Sequence, residues 1–288
     1  MSEGRDRLGL VLEGGGMRGI YTSGVLDEFL EQGIRVDGLV GVSAGILHGV
    51  TYVSEQYGRN VRYMVKYRSD KRFMSFSSLW KTGNICETEF CYHEIPEKLF
   101  PFDYDTYRRN AERMEVYACA TNLETGKAEY LRVTDLKEQI DALRASASLP
   151  LVSETVEYEG MKLLDGGTSD SIPVEFMRDK GFARNIVILT RPEGYRKGAD
   201  RTIFLMKRKY ADYPAYIQAA ASREKNYNDT LEKIRAYEES REVFVIRPSR
   251  DLGIGRTEKN IEKLKRMYKL GRFDARNRME EILAYVKG

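Results

Sequence analysis

Histidine is scarce in this chain of 288 residues: the only two are His48 and His93. The common α/β-hydrolase arrangement places a serine first, then an acid, then a histidine near the end of the chain. No histidine follows residue 93. The ordinary form of that arrangement is therefore excluded, and any nucleophilic serine needs a different base.

Cysteine, long apolar runs and net charge are also low. The three cysteines form an odd set without metal-ligand spacing, which argues against a disulfide framework and suits a reducing cytosol. No apolar run approaches the ~18 residues of a membrane span, and the first ten residues lack the apolar core of a signal peptide. The net charge of +3 gives no reason to expect nucleic acid. We expect a cytoplasmic protein with no metal, no cofactor and no nucleic-acid partner.

The charge is unevenly distributed along the chain. Residues 201–288 contain 21 Lys and Arg against 13 Asp and Glu, a net of +8, which leaves −5 for residues 1–200. Such a basic segment could contact the anionic inner surface of a membrane peripherally. Solvated helix faces are the simpler interpretation.

The first 53 residues alternate between strand and helix patterns. Residues 9–16 and 36–43 predict buried strands that run into glycine-rich turns, and 17–33 and 44–53 predict helices. This order favours a parallel sheet with both turns at its carboxyl edge. Further patterns predict strands within 114–133, 155–167, 184–192 and 242–248, helices within 135–150 and 203–240, two C-terminal amphipathic helices, and helices and long loops over 54–112. No linker divides the chain, so a single domain over 1–288 is expected.

The first turn, GGGMRG, extends from Gly14 to Gly19 and fits the dinucleotide pattern G-x-G-x-x-G. The acid that should hold a ribose is misplaced, because Asp37 begins the second strand instead of ending it. The backbone N–H groups of such a loop can bind any anion, including the oxyanion of an ester intermediate. Arg18 adds a charge there. A tight turn that needs glycine only for packing remains the alternative.

The second turn, GVSAG, places Ser43 between Gly41 and Gly45, with a strand before it and a helix after it. This is the context of G-x-S-x-G nucleophiles, although a plain turn with a capping serine has the same letters. His48 lies five residues further along the helix, about 7.5 Å along the axis and ~140° around it. We therefore expect His48 to point into helix packing and His93 to lie on a loop.

Asp165 ends a predicted strand and is followed by Gly166 and Gly167. A carboxylate that contacts a serine can accept its proton directly if the carboxylate is desolvated and its pKa is raised. Asp-Gly is also a common turn signal, so this motif alone does not decide the matter.

The three motifs GGGMRG, GVSAG and DGG, in this order, resemble the patatin-like phospholipases, and RASASLP (144–150) is similar to that family's Ala/Ser-rich segment. The resemblance covers about residues 8–190; the basic, mostly helical part, about 200–288, is similar to a bacterial single-domain branch. The resemblance implies a three-layer α/β/α fold with a mainly parallel sheet and a helical C-terminal part.

The resemblance also implies an activity, the hydrolysis of acyl esters of (phospho)lipids through an acyl-enzyme. Ser43 would be the nucleophile, Asp165 the base, and the backbone of Gly14, Gly15 and Gly16 the oxyanion hole with Arg18 close by. DGG in place of the commoner DGA is a minor departure. Acyl transfer to another alcohol, and a non-catalytic protein that binds a nucleotide or another anion at the glycine loop, remain alternatives.

Overall fold

The computed structural model describes residues 6–288, and its elements follow the predicted order. Eight strands are present among these residues: β1 (Leu8–Leu12), β2 (Gly38–Val42), β3 (Glu115–Asn122), β4 (Ala128–Arg132), β5 (Val156–Tyr158), β6 (Met161–Asp165), β7 (Arg184–Ile188) and β8 (Val243–Ile246). The α-helices are α1 (Ile20–Glu31), α2 (Ala44–Val53), α3 (Arg59–Tyr67), α4 (Phe76–Thr82), α5 (Tyr104–Ala111), α6 (Ile140–Ala147), α7 (Val174–Asp179), α8 (Ile203–Lys209), α9 (Pro214–Glu239), α10 (Ile261–Asn277) and α11 (Met279–Lys287).

The strands form one sheet in the order β5-β6-β3-β2-β1-β7-β8, with β4 on β3. The central pairs are parallel, whereas β4, β5 and β6 run antiparallel to their neighbours. Val42 pairs with Cys119, and Asp165 pairs with the next residue of β3, Ala120. The carboxyl ends of β2 and β6 therefore meet at one point of β3, which brings two distant motifs together.

Helices cover both faces of the sheet, because successive side chains of a strand point to opposite faces. In β1, Leu10 and Leu12 pack with α1, α2 and α10 in the larger core. Val11 packs on the other face with α7 and α9. The fold is the three-layer α/β/α arrangement with a mainly parallel centre that the resemblance implies.

The basic C-terminal segment packs closely on the first helix. A Cβ on Gly24 of α1 would lie 2.2 Å from the Tyr268 carbonyl oxygen of α10, and one on Gly271 would lie 2.1 Å from the Tyr21 carbonyl. Glycine at both positions lets the two backbones approach. The number of domains remains a prediction.

Residues 54–112, whose pattern predicts helices and long loops, contain α3, α4, α5 and a π-helix at Glu89–Leu99. The prediction that His93 lies on a loop is therefore wrong, because His93 is part of the π-helix. Pro96 inside this helix has no N–H to donate. Helix α6 is also shorter than the predicted helix, since it begins at Ile140. No helix in the described part of the chain is both long enough and apolar enough to cross a membrane.

Candidate active site

Ser43 lies at a sharp turn between β2 and α2. Its backbone has φ 53° and ψ −123°, a region that L-residues rarely adopt. Such a conformation costs about 1–3 kcal/mol and persists only where the surroundings impose it. The side chain is 8% exposed. The strained turn therefore holds the hydroxyl at the edge of the sheet, beside an apolar cavity that Ser43 lines.

The glycines on either side of Ser43 are required by close backbone contacts. A Cβ on Gly41 would lie 2.5 Å from the Ile46 nitrogen, and one on Gly45 would lie 2.5 Å from the Leu12 carbonyl oxygen. Real Cβ atoms do not approach other atoms so closely. The G-x-S-x-G spacing thus follows from the way α2 folds back over the ends of β1 and β2.

Asp165 ends β6 and is buried beside Ser43. Its Oδ1 accepts the Gly167 N–H at 2.8 Å, while Oδ2 accepts no hydrogen bond of standard geometry from any described residue. Burial raises the pKa of the Asp165 carboxyl above its usual range, and the Ser43 hydroxyl and the charge of Arg223 act in the opposite direction. A desolvated carboxylate oxygen without a partner is suited to accept a proton.

The Ala/Ser-rich segment holds both residues in place. The Ser43 N–H donates to Ser146 Oγ at 2.9 Å, and that hydroxyl donates to the Cys119 carbonyl at 2.6 Å. The Asp165 N–H donates to the Ser148 carbonyl at 2.8 Å. The sequence pattern alone does not assign these positioning roles to Ser146 and Ser148, because the residues that they hold are more than a dozen positions away along the chain.

The glycine loop lies directly over the serine turn. A Cβ on Gly14 would lie 3.3 Å from Ser43 Cβ, and Gly16 has φ +57°. The Met17 N–H donates to the Arg256 carbonyl at 3.0 Å, whereas the N–H groups of Gly15 and Gly16 donate to no group in residues 6–288. These two N–H groups are free to bind an anion near Ser43.

The remaining motif glycines pack tightly. A Cβ on Gly19 would lie 2.8 Å from Ala44 Cβ, and one on Gly166 would lie 2.1 Å from the Cys119 carbonyl oxygen. A Cβ on Gly167 would lie 2.9 Å from Asp165 Oδ1. These glycines let three separate chain segments approach the same point.

Glu13, which the sequence analysis does not single out, is a second buried carboxylate at this edge. It accepts hydrogen bonds from the Thr190 N–H at 2.5 Å and from the Tyr227 hydroxyl at 2.6 Å. These bonds connect the end of β1 to the loop after β7 and to α9. A glutamate that interrupts an apolar strand just before three glycines is the signal that could have identified it.

An apolar cavity of about 170 Å³ opens at Ser43 and Gly16. Its walls come from α2, α3, α6 and the π-helix, so the segment 54–112 encloses much of it. Apolar side chains in its lining include Leu47, Met64, Phe73, Ile95, Phe102 and Leu143. A cavity of this lining suits an apolar chain.

Neither histidine has the position of a general base. His48 is buried with its ring against Gly19, whose Cβ would lie 3.1 Å from His48 Cδ2, and burial lowers the pKa of His48 to about 4. The ring of His93 lies 3.3 Å from Glu97 and is 37% exposed. Asp37 accepts the Leu8 N–H at 2.7 Å at the start of the strands, far along β2 from Ser43.

A serine at a strand–helix turn above the carboxyl edge of a mainly parallel sheet is typical of α/β hydrolytic enzymes. Comparison with known proteins identifies the family. Residues 10–178 match the model of the patatin-like phospholipases, and residues 213–287 match that of a domain of unknown function, DUF6363. The chain belongs to the patatin-like phospholipase family and is a hydrolase that acts on lipids.

Individual relatives differ in how much of their length is matched. An uncharacterized protein YjjU of Escherichia coli K12 is 28% identical over 275 residues, which cover 94% of this chain and 76% of that protein. The lysophospholipases NTE1 of Saccharomyces cerevisiae and nte1 of Aspergillus niger are 32% and 30% identical over 60% of this chain. The chain spans only about a tenth of these two proteins, 10% and 11% respectively. The solved structure of VipD from Legionella pneumophila aligns with a TM-score of 0.48 and 14% identity, over 96% of this chain and 67% of VipD.

Proposed function

We propose that Ser43 and Asp165 form a catalytic dyad that hydrolyses the ester bond of a lipid acyl chain. The observation that carries the proposal is the meeting of a strained, cavity-facing serine with a buried carboxylate whose Oδ2 has no partner of standard geometry among the described residues. Neither histidine is placed to replace that carboxylate. Two of the relatives are lysophospholipases, and a single-chain phospholipid is accordingly within the proposed substrate class.

In the first half of the reaction, Ser43 Oγ attacks the ester carbonyl carbon while Asp165 Oδ2 accepts the hydroxyl proton. The carbonyl oxygen becomes an oxyanion, which the N–H groups of Gly15 and Gly16 stabilise. The intermediate then breaks its bond to the alcohol, which leaves with the proton that Asp165 returns. The acyl chain, now esterified to Ser43, occupies the apolar cavity.

In the second half, a water molecule replaces the alcohol. Asp165 accepts a proton from this water as its oxygen attacks the acyl carbon, and Ser43 leaves as the new intermediate collapses. Ser43 regains its proton from Asp165, and the fatty acid departs. Because the same carboxyl accepts a proton in both halves, its raised pKa makes it a stronger base in each of them.

Labelling with a fluorophosphonate, followed by identification of the modified residue, tests the nucleophile. We expect the label on Ser43, and Ser43→Ala should lose both labelling and turnover of a p-nitrophenyl ester. Ser148→Ala is the matched control, because Ser148 is equally buried but its hydroxyl already donates to the Arg144 carbonyl at 2.8 Å. This control should still be labelled. A label on any other serine would contradict the assignment.

A further inference from the structure

A second cavity opens at Ser43, and its lining is basic. Its volume is about 50 Å³, several times the ~10–15 Å³ that one water molecule requires. The lining includes Ser43, Asp165, Glu13 and Gly14–Gly16 of the first turn. It also includes five cations that we call the basic cluster: Arg18, Arg191, Lys197, Arg223 and Arg256. The cavity therefore belongs to the same site as the proposed dyad but differs in character from the apolar cavity.

The basic cluster is assembled from distant parts of the chain. Arg18 follows the glycine loop, Arg191 and Lys197 lie on the loop after β7, Arg223 is on α9, and Arg256 precedes α10. The last two lie within residues 213–287, the part that matches the domain of unknown function. Residues from both matched regions thus face one cavity.

None of the five cations forms a salt bridge with any carboxylate of residues 6–288. Arg18 is 8% exposed, and its buried Nε has no hydrogen-bond partner within the same residues. The buried Nε of Arg191 is equally without one. Arg223 Nε donates to the Gly167 carbonyl. Buried charges are normally paired, so the buried Arg18, surrounded by three half-buried cations and the exposed Arg256, is unusual without a bound anion.

The cations also destabilise one another. Burial lowers the pKa of Arg18, and the neighbouring Arg191 and Arg256 lower it further. Burial and the charge of Arg256 likewise lower the pKa of Arg223. For Lys197, burial and the charges of Arg223 and Arg256 lower the pKa to about 7. A bound anion would relieve this repulsion.

The charges that oppose the cluster leave it with a positive excess. Glu13 and Asp165 line the cavity, and Asp200 approaches Arg223 from the adjoining loop. With Lys197 protonated, five positive charges face three negative ones, so the excess is two. Glu13 is already engaged by Thr190 and Tyr227, and Asp200 by Thr202.

Given the proposed function, on which this inference rests, we infer that the basic cluster binds a phosphate monoester carried by the alcohol part of the substrate. Ser43 lines both cavities, so an ester at Ser43 can place its acyl chain in the apolar cavity and its alcohol in the basic one. A phosphate monoester carries a charge of about −1.5 to −2 near pH 7, which balances the excess. Arginine binds phosphate through paired N–H donors.

The substrate class is therefore an acyl ester of a phosphorylated alcohol, such as a 1-acyl-glycerol 3-phosphate. Water cleaves its ester bond to a fatty acid and glycerol 3-phosphate, and no other reactant is consumed. A choline headgroup is disfavoured because it adds a cation to a cavity that already has an excess of positive charge. An uncharged monoacylglycerol leaves the cluster uncompensated.

The test compares kcat/KM for three esters with the same short acyl chain, used as monomers: 1-acyl-glycerol 3-phosphate, 1-acyl-glycerophosphocholine and 1-monoacylglycerol. We expect the phosphate monoester to exceed the other two by roughly 10- to 100-fold, the effect of one or two charge-assisted hydrogen bonds. Arg256→Gln and Lys197→Gln should each remove about tenfold of this preference, mainly through KM. Arg250→Gln, an exposed arginine of the same segment, is the matched control and should keep the preference.

A binding measurement separates this inference from the proposed dyad. Ser43→Ala should bind the 1-acyl-glycerol 3-phosphate in calorimetry more tightly than the choline ester, and Arg256→Gln in that background should reduce this difference about tenfold. Such binding would support the inference even if labelling located the nucleophile elsewhere. Equal binding of the two lipids, or equal kcat/KM for all three esters, would overturn it. If inorganic phosphate binds but the enzyme shows no preference among the three esters, the cluster is a site for free phosphate, and this result would overturn the inference as well.

Discussion

Replacement of Asp165 by asparagine separates the chemical role of this carboxyl from its structural role. Asparagine has nearly the same shape, and its oxygen can still accept the Gly167 N–H that Asp165 Oδ1 accepts at 2.8 Å. The atom that changes is Oδ2, the proposed proton acceptor, which becomes an amide nitrogen that cannot accept a proton. If Asp165 is the base, Asp165→Asn should lower kcat by about 10²–10⁴.

The free energy of unfolding of Asp165→Asn, unlike its kcat, should not fall. Because burial raises the pKa of Asp165 in the folded protein, ionisation of this group costs free energy in the folded state. That cost is absent below the pKa of the unfolded chain, grows as the pH rises through the folded pKa, and is complete above it. Each unit of the shift corresponds to about 1.4 kcal/mol. At pH 7–8, Asp165→Asn should therefore melt at the same temperature as the natural protein or at a higher one.

The assay combines ester turnover with thermal melting at pH 8, with Asp170→Asn as the matched control. Asp170 is half-buried, and desolvation raises its pKa too, but its carboxylate accepts hydrogen bonds from Tyr130 and the Ile172 N–H. Asp170→Asn should retain most of its activity, as should His48→Ala and His93→Ala apart from losses that follow stability. An active Asp165→Asn beside an inactive but normally melting His93→Ala would refute the dyad. A strongly destabilised Asp165→Asn would refute the electrostatic reasoning.

Two further predictions concern packing and membranes. Gly45→Ala should lower the free energy of unfolding by about 1–3 kcal/mol, because its Cβ would lie 2.5 Å from the Leu12 carbonyl oxygen; denaturant unfolding measures this, and Gly198→Ala, where no atom lies within 4 Å, should leave stability nearly unchanged. Phe76 and Trp80, one turn apart on α4, are 74% and 89% exposed, and we expect Phe76→Ser/Trp80→Ser to reduce co-sedimentation with liposomes. Unchanged binding that still depends on anionic lipid and salt would instead locate the membrane contact in the basic segment.

The elements nearest the site could be predicted because their signals are local. The strands before Gly14 and Ser43, and the strand that ends at Asp165, are short, largely apolar runs with glycines in or next to them. That β2 and β6 end at the same point of β3 could not be read from those runs, since it depends on pairing between residues more than forty positions apart. The resemblance to a known family supplied that link before the structure did.

The cavities were not predictable, because both are built from side chains that meet only in the fold. The basic segment illustrates why. Its net charge of +8 suggests either a membrane contact or a solvated surface, yet Arg223 and Arg256 face the cavity beside Ser43. Arg272 and Arg276 instead bind Glu28 of α1, at 2.5 and 2.8 Å. Charge counting cannot distinguish these uses.

The basic cluster and the proposed base influence each other. The groups facing Asp165 are the Ser43 hydroxyl, the cations Arg223 and Arg256, and the buried Cys119 and Tyr216. Burial raises the pKa of Asp165, while the two arginines oppose the rise. A phosphate monoester bound to the arginines would weaken their effect, so the pKa of Asp165 should rise further in the complex.

This coupling predicts a difference between two pH profiles. In the proposed dyad, proton removal from Ser43 requires ionised Asp165, so activity should fall on the acid side as Asp165 becomes protonated. The midpoint of that fall in kcat reports the pKa of the enzyme–substrate complex. The midpoint should lie at higher pH for the 1-acyl-glycerol 3-phosphate than for the monoacylglycerol of the same chain length. With Arg256→Gln the two midpoints should lie closer together, because only Arg223 then remains to couple the bound phosphate to Asp165. Coincident midpoints in the natural enzyme would mean that the bound phosphate leaves the electrostatics of Asp165 unchanged, and the coupling would be disproved.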